Sequence, residues 1–209
     1  MQVSEIFYTI QGEGITVGQP AVFLRLSGCH LRCGWCDSKF TWDRKSGSKM
    51  KLEDIAAKIK EFPCEHLVIT GGEPLLQQQH ILDLLKLLPD HYVEIETSGS
   101  LDTFLNDVVH HYNCSPKLEN SGNKTKLKDF PREKTYFKFV VDSAEDLSEI
   151  KEFLKEYKID RKKVLLMPQG IGKREITQRS QWLAEICKSE NLRFSPRLHI
   201  NIWGNKRKV

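Results

Sequence analysis

Short apolar runs alternate with segments of helical period along most of this 209-residue chain. Alternation of this kind joins parallel strands through crossover helices, so it predicts an α/β fold, either a doubly wound sheet or a (β/α) barrel. Both architectures place their sites at the carboxyl ends of the strands. The predicted strands cover residues 21–26, 67–70, 92–97, 136–141, 164–167 and, weakened by Pro196, 192–198.

Segments of helical period separate these strands. The predicted helices cover residues 52–59, 81–88, 101–110, 147–157 and 182–187. The segment 117–134 breaks the alternation because it is polar and contains Asn-Ser-Gly-Asn. It is therefore predicted to be a loop in place of a helix.

Composition limits the classes of protein that this chain can be. With 39% hydrophobic and 29% charged residues, it is predicted to form one soluble domain over residues 1–209. No run approaches the roughly 18 apolar residues of a membrane helix, and the first residues lack a secretory pattern. We therefore expect a cytoplasmic protein without a membrane partner. A net charge of +4 suits a small anionic substrate and gives no indication of nucleic-acid binding.

Three cysteines, Cys29, Cys33 and Cys36, follow the first predicted strand with the spacing C-x3-C-x2-C. Three thiolates on one short loop can bind three irons of a [4Fe–4S] cluster, which normally takes four cysteine ligands. No fourth cysteine is near in the sequence. One iron is therefore expected to stay open for an exogenous ligand.

Zinc is the alternative metal for this loop. Structural zinc takes four ligands, often from two C-x2-C pairs, and no second pair follows. His30 lies inside the loop, while Cys64, Cys114 and Cys187 are isolated and are interpreted as small buried hydrophobic residues. A noncatalytic zinc or iron–sulfur module stays open as the weaker interpretation.

The cysteine spacing, together with Gly-Gly-Glu-Pro at 71–74, resembles the radical S-adenosylmethionine superfamily. That resemblance implies a reduced, partly open (β/α) barrel in which Cys29, Cys33 and Cys36 hold the catalytic [4Fe–4S] cluster and S-adenosylmethionine binds its open iron. A narrower resemblance is to the family of 7-carboxy-7-deazaguanine synthases. The segments that carry it are 5–14, 23–29, 94–99, 114–117 and 198–209.

This narrower resemblance implies a reaction. It is the radical ring contraction of 6-carboxy-5,6,7,8-tetrahydropterin to 7-carboxy-7-deazaguanine, with loss of ammonia, in the pathway to queuosine. It also implies a homodimer and an electron donor such as flavodoxin or ferredoxin. A glycyl-radical-enzyme activase, which shares the cysteine motif and the small size, is the alternative enzyme.

The resemblance also assigns residues to the cofactor and to the substrate. The residues expected to bind S-adenosylmethionine are Trp35, Cys36, Asp37, Gly72, Glu73, Ser115, Pro116, Lys117 and Gln169. The residues expected to bind the pterin are Gln11, Gly12, Glu13, Arg25, Thr70, Glu96, His199 and the terminal carboxylate of Val209.

The chemistry of three of these side chains suits such roles. The planar guanidinium of Arg25 suits a substrate carboxylate, although a strand-edge arginine paired with a surface acid is the alternative. Glu96 can accept hydrogen bonds from the amino-pyrimidine edge of a pterin, and alternation places Glu94 on the same face. A lone histidine such as His199 is more often structural.

Ser38 departs from the family pattern, which usually has threonine after the Cys-Asp pair. The resemblance implies that this hydroxyl helps to bind Mg²⁺. Serine keeps the hydroxyl and loses only a methyl group, and Mg²⁺ prefers such oxygen ligands. Mg²⁺ is therefore expected as a cofactor.

Overall fold

The structure is a computed structural model that describes residues 1–209. Nine strands form one mixed sheet. They are β1 (Gln2–Ile10), β2 (Pro20–Leu26), β3 (Ser48–Lys49), β4 (His66–Gly71), β5 (Tyr92–Thr97), β6 (His111–Cys114), β7 (Thr135–Val141), β8 (Val164–Pro168) and β9 (Arg193–Phe194). The α-helices are α1 (Leu52–Lys60), α2 (Gln78–Leu85), α3 (Asp146–Glu156), α4 (Lys173–Glu190) and α5 (Leu198–Trp203).

The strand order shows which of the two predicted architectures is present. It runs β3-β1-β2-β4-β5-β6-β7-β8-β9, and every pair from β2 to β9 is parallel. The order of the parallel strands never reverses, so the sheet has no topological switch point and is not doubly wound. An open sheet with sequential parallel strands confirms the partly open (β/α) barrel.

The two faces of the strands differ in chemistry because side chains alternate. Leu24, Ile69 and Ile95 are fully buried in one apolar cluster of 35 residues, which also contains helix residues such as Ile55 and Leu84. Their neighbours in sequence point to the other face, which is polar toward the carboxyl ends of the strands and holds a small apolar cluster of Ala21, Phe23 and Val68. This separation places the apolar core under the helices and leaves the inner face of the barrel for a site.

Two of the sequence predictions are wrong. Residues 101–110 form turns instead of a helix. Here the Thr103 hydroxyl accepts from the Leu105 amide, a local bond that competes with helix formation. The last strand covers only Arg193–Phe194, because Pro196 ends it and α5 follows.

Three strands of the sheet were not predicted: β1, β3 and β6. The strand β1 is the first in the chain, and it pairs antiparallel with β2. The segment 117–134 is a loop, as predicted, with one short 3₁₀ turn at Glu119–Ser121. No helix combines the length and the apolarity that crossing a membrane requires.

Candidate active site

A cavity of about 270 Å³ opens at the carboxyl ends of the parallel strands. Every residue predicted for the site lines it, except Pro116, which is buried beside Ser115 and Lys117. The prediction that these segments meet at one end of the barrel is therefore consistent with the structure. Their individual roles stay predictions.

The cysteine loop follows the end of β2, and backbone hydrogen bonds hold it in place. The Gly28 amide donates to the Thr41 carbonyl at 2.7 Å, and the Glu73 amide donates to the Gly28 carbonyl at 2.9 Å. A Cβ at Gly72 would lie 2.3 Å from the Gly28 oxygen. Glycine at 72 therefore allows the Gly-Gly-Glu-Pro turn to pack directly against the cysteine loop.

Cys29, Cys33 and Cys36 are free thiols that line the cavity together. Burial raises the pKa of each of the three thiols. Irons supply the positive charge that stabilises thiolates, so burial of this kind suits a cluster site. The donor set therefore fits a [4Fe–4S] cluster bound through three cysteines.

The same loop does not fit zinc. No group of three histidine, cysteine or acidic side chains is arranged to hold a single metal ion. Structural zinc requires four protein ligands, and the cysteine loop supplies three. The geometry therefore disfavours a mononuclear zinc module.

Glu73 is already engaged by the protein. Its carboxylate accepts hydrogen bonds from the Thr97 hydroxyl at 2.7 Å and from the Ser98 amide at 2.9 Å. The Ser98 hydroxyl and the Leu75 amide also donate to it. Glu73 thus fixes the turn against the end of β5 while its negative charge lines the cavity.

Lys117 and Trp35 form the wall next to the cysteines. The Lys117 ammonium lies 5.7 Å from the centre of the Trp35 ring and donates to the Ser115 hydroxyl at 2.8 Å. Burial lowers the pKa of Lys117. Gln169 follows β8 and lines the same cavity.

A row of polar residues crosses the inner face of the barrel. Strand pairing places Glu5 beside Arg25, Arg25 beside Thr70, and Glu96 beside Asn113. The Thr70 hydroxyl donates to Glu96 at 2.7 Å, which joins the two halves of the row. Five neighbouring strands therefore present their polar side chains at one level.

Arg25 pairs with Glu5, which is buried and not a surface acid. Arg25 donates to Glu5 through Nε at 3.1 Å, and the other two guanidinium nitrogens make no hydrogen bond to the protein. Both terminal nitrogens are thus available for a bidentate contact in the cavity.

Gln11 connects two acidic residues of β5. Its Nε2 donates to Glu94 at 2.9 Å and to Glu96 at 3.3 Å. Burial alone would raise the pKa of Glu94, but the His111 and His66 rings beside its carboxylate outweigh it and lower the pKa to about 2. Burial raises the pKa of Glu96, which Lys138 partly opposes.

Two further residues of the site, Arg197 and Lys138, were not predicted from the sequence. Arg197 is buried and donates to Glu13 at 3.0 Å, to Asp37 and to the Gly170 carbonyl. Lys138 is also buried and pairs with Glu13. A lysine inside the apolar run of β7 was a signal for Lys138, whereas nothing in the sequence marked Arg197.

Burial alone would raise the pKa of Glu13, but Lys138 and Arg197 hold it well below its usual range. Glu13 therefore stays ionised deep in the cavity. Arg197 also links it to Asp37, which accepts from the Ser38 hydroxyl at 2.9 Å. This network ties the substrate side of the cavity to the end of the cysteine loop.

His199 and the end of the chain close the cavity on one side. A Cβ at Gly12 would lie 2.1 Å from His199 Nδ1, so only glycine fits there. Burial lowers the pKa of His199. Arg207 stacks 3.7 Å above the Phe40 ring and donates to Glu5 at 2.9 Å, and Val209 lines the cavity beyond it.

Comparison with known proteins agrees with this geometry. The profile of the radical SAM superfamily matches residues 24–117, which run from β2 through the Ser-Pro-Lys segment. A 7-carboxy-7-deazaguanine synthase of Pyrobaculum aerophilum is 41% identical over 99% of this chain and 96% of that relative. A second one, of Rhodopirellula baltica, is 34% identical over 98% of this chain and 87% of that relative.

A solved structure supports the same assignment. The crystal structure of QueE from Escherichia coli is 29% identical and superposes with a TM-score of 0.76, covering 95% of this chain and 94% of that one. The chain belongs to the radical S-adenosylmethionine superfamily and, within it, to the family of 7-carboxy-7-deazaguanine synthases.

Proposed function

We propose that this enzyme converts 6-carboxy-5,6,7,8-tetrahydropterin into 7-carboxy-7-deazaguanine by radical ring contraction with loss of ammonia. The observation that carries the proposal is the polar row of the inner face. Arg25 and Glu96 lie on strands separated by β4 alone, about 10 Å apart by strand spacing. That separation suits a two-ring heterocycle with a carboxylate at one end and an aminopyrimidine at the other.

The chain's own residues bind and orient this substrate. The free terminal nitrogens of Arg25 bind the carboxylate, and Glu96 accepts from the amino-pyrimidine edge. Gln11 and Thr70 hold the Glu96 carboxylate in place. His199 and Val209 line the closed side of the cavity and border the substrate there.

As a member of this superfamily, the chain uses a [4Fe–4S] cluster and S-adenosylmethionine. When bound, they supply the radical that starts the reaction. Gly72, Glu73, Ser115, Lys117 and Gln169 line the cavity beside the cysteines and bind S-adenosylmethionine there.

The proposal includes Mg²⁺ at Ser38. The Ser38 hydroxyl lines the cavity and lies next to the Asp37 carboxylate, so two oxygen atoms of the kind that Mg²⁺ prefers are adjacent. The proposal also includes a homodimer and an electron donor such as flavodoxin or ferredoxin. Light scattering of the purified enzyme tests the dimer.

The cavity disfavours an activase of a glycyl-radical enzyme. Such an enzyme needs a groove that admits a protein backbone. Here residues 204–209 cover one side of a cavity of about 270 Å³, which is the size for a small molecule.

The decisive experiment is anaerobic incubation of the reconstituted enzyme with S-adenosylmethionine, a reductant and 6-carboxy-5,6,7,8-tetrahydropterin. Mass spectrometry should detect 7-carboxy-7-deazaguanine, and added Mg²⁺ should raise the rate above that with a chelator. Absence of product while the cluster is intact would overturn the proposal.

Arg25→Gln sharpens this test. We expect it to raise KM for the carboxylated pterin at least about tenfold, because a charge-assisted pair is lost. Tetrahydropterin without the 6-carboxylate is the control ligand, and its affinity should be the same for both enzymes. Equal weakening of both ligands would contradict the role of Arg25.

A further inference from the structure

Asn113 combines deep burial with two unpaired polar atoms at the wall of the cavity. It lies in β6 with 2% of its surface exposed, and neither Nδ2 nor Oδ1 makes a hydrogen bond within the protein. It lines the same cavity as Glu96. A buried amide without partners carries a desolvation cost, which a ligand with matching groups removes.

No neighbouring group of the protein makes a hydrogen bond to the Asn113 side chain, and the nearest polar groups bond to one another. Glu96, its neighbour on β5, accepts from Thr70 and Gln11. The Gly14 amide donates to the Ser195 hydroxyl at 2.9 Å. A Cβ at Gly14 would lie 2.3 Å from Asn113 Nδ2, so the glycine leaves room for the carboxamide at this wall.

We propose that Asn113 is a specificity-determining residue, which binds the edge of the substrate where a carbonyl oxygen and an N–H lie side by side. This inference rests on the proposed function, since it concerns the same substrate in the same cavity. A carboxamide presents one donor and one acceptor in a fixed plane. It therefore matches a partner that presents one acceptor and one donor in the reverse order.

The reduced pterin has such an edge next to the one assigned to Glu96. Its 2-amino group and N3–H face an acceptor such as a carboxylate. Its C4 carbonyl and N5–H follow directly around the ring, where Nδ2 donates to the carbonyl and Oδ1 accepts from N5–H. Glu96 and Asn113 are paired residues of adjacent strands, so two consecutive ring edges meet two consecutive side chains.

This arrangement distinguishes oxidation states of the substrate. N5 carries a hydrogen in the tetrahydropterin and none in the fully oxidised pterin. In the oxidised ring, Oδ1 of Asn113 faces a lone pair of N5 instead of a donor. A site built to pair with an N–H rejects an analogue that lacks it.

The test uses the reconstituted holoenzyme under anaerobic conditions. Calorimetry measures the affinity for 6-carboxy-5,6,7,8-tetrahydropterin, for oxidised 6-carboxypterin and for S-adenosylmethionine. Asn113→Leu keeps the volume and removes both polar atoms. We expect it to weaken the reduced pterin by about tenfold to a hundredfold, and the oxidised pterin much less, with unchanged iron content and S-adenosylmethionine affinity.

The melting temperature of the ligand-free protein distinguishes a binding role of Asn113 from a structural one. Asn113→Leu replaces an unpaired amide with an apolar group, so the melting temperature of the ligand-free protein should stay equal or rise. Tyr112→Phe is the matched control, because Tyr112 is the preceding residue of β6 and its hydroxyl donates to Asn106 outside the cavity. It should leave the affinity for both pterins unchanged.

The outcomes are distinct. If wild type neither binds nor converts the reduced pterin, the proposed function and this inference both fail. If wild type converts it and Asn113→Leu binds it as tightly, only the role of Asn113 is refuted. Asn113→Ala is measured in parallel, so that a folded variant decides the question even if the leucine variant does not fold.

Discussion

The two sides of the cavity balance their charges differently. On the cysteine side, burial raises the pKa of Cys29, Cys33 and Cys36, and no cation of the protein binds these thiols directly. On the substrate side, the buried carboxylates of Glu13 and Glu94 have their partners within the protein.

Because of this difference, we expect residues on the two sides of the cavity to contribute differently to cluster binding and to the stability of the fold. The cysteine side is completed only when irons supply positive charge, so its residues are expected to contribute little to the stability of the apoprotein. On the substrate side, the buried carboxylates of Glu13 and Glu94 are already paired within the chain, so they help to hold the residues around β1, β5, β7 and α5 together. A substitution on the cysteine side should therefore abolish cluster binding, whereas a substitution of a charged residue on the substrate side should lower the stability of the fold.

The largest effect is expected for Cys33→Ser. A serine hydroxyl is a poor iron ligand, and two thiolates cannot hold the cluster in place of three. Iron content and product formation after anaerobic reconstitution should both fall to background, while urea unfolding of the apoprotein changes little. Cys64→Ser, outside the loop, is the control and should retain its iron. Normal iron content in Cys33→Ser would contradict the expectation that the cysteine side binds the cluster.

Arg197→Met should give the largest loss of stability. It removes the cation that joins Glu13 to Asp37, so Asp37 loses its charged partner and Glu13 keeps only Lys138. We expect a loss of about 3 kcal/mol in the free energy of unfolding. Arg161→Met, which breaks an exposed pair with Glu190, should cost less than about 1 kcal/mol. Similar losses in both variants would argue against a preformed network.

Glu94 should make stability depend on pH. Its folded-state pKa of about 2 lies below the ordinary 4.5, so the folded state favours the ionised form. This contribution is present above pH 4.5 and is lost as the pH falls. From pH 6 to pH 3 it should account for about 2 kcal/mol of the lost unfolding free energy.

Glu94→Gln tests this contribution, because glutamine does not titrate. Urea unfolding at several pH values should show a shallower decline for the variant than for wild type. Glu119→Gln, which removes an exposed carboxylate paired with Lys124, should decline like wild type. An equal slope for Glu94→Gln and wild type would show that Glu94 is not held ionised by its neighbours.

The same contrast explains how much the sequence could predict. The cysteine side depends on residues close together in the chain, and its spacing indicated the cluster directly. The substrate side depends on partners far apart, such as Arg197 with Asp37 and Gln11 with Glu94. Periodicity predicts which face a residue occupies, but it does not predict which distant residue lies opposite.

The errors in secondary structure have local causes. Residues 101–110 have helical period, yet side-chain bonds from Thr103 and Asn106 satisfy their polar groups without a helix. The strand β1 was missed because its polar members face the cavity and the tail, where Glu5 binds Arg25 and Arg207. A strand whose side chains line a binding site does not show the alternation of apolar residues that marks a strand packed against the core.

The smallest expected effect is a change in the reduction potential of the cluster, caused by a residue of the loop 117–134. Asn123 donates from Nδ2 to Cys33 Sγ at 3.4 Å, and hydrogen bonds to ligand sulfurs stabilise the more negative, reduced state of a cluster. Asn123→Ala should therefore lower the reduction potential by about 40 mV, which corresponds to one hydrogen bond of about 1 kcal/mol for one electron. A potentiometric titration followed by electron paramagnetic resonance measures it.

Asn120→Ala is the matched control, because its amide in the same loop bonds to Val140 and Asp146 and not to sulfur. Equal shifts in the two variants would mean that the loop acts through its position, whereas a shift confined to Asn123→Ala assigns it to the bond with Cys33.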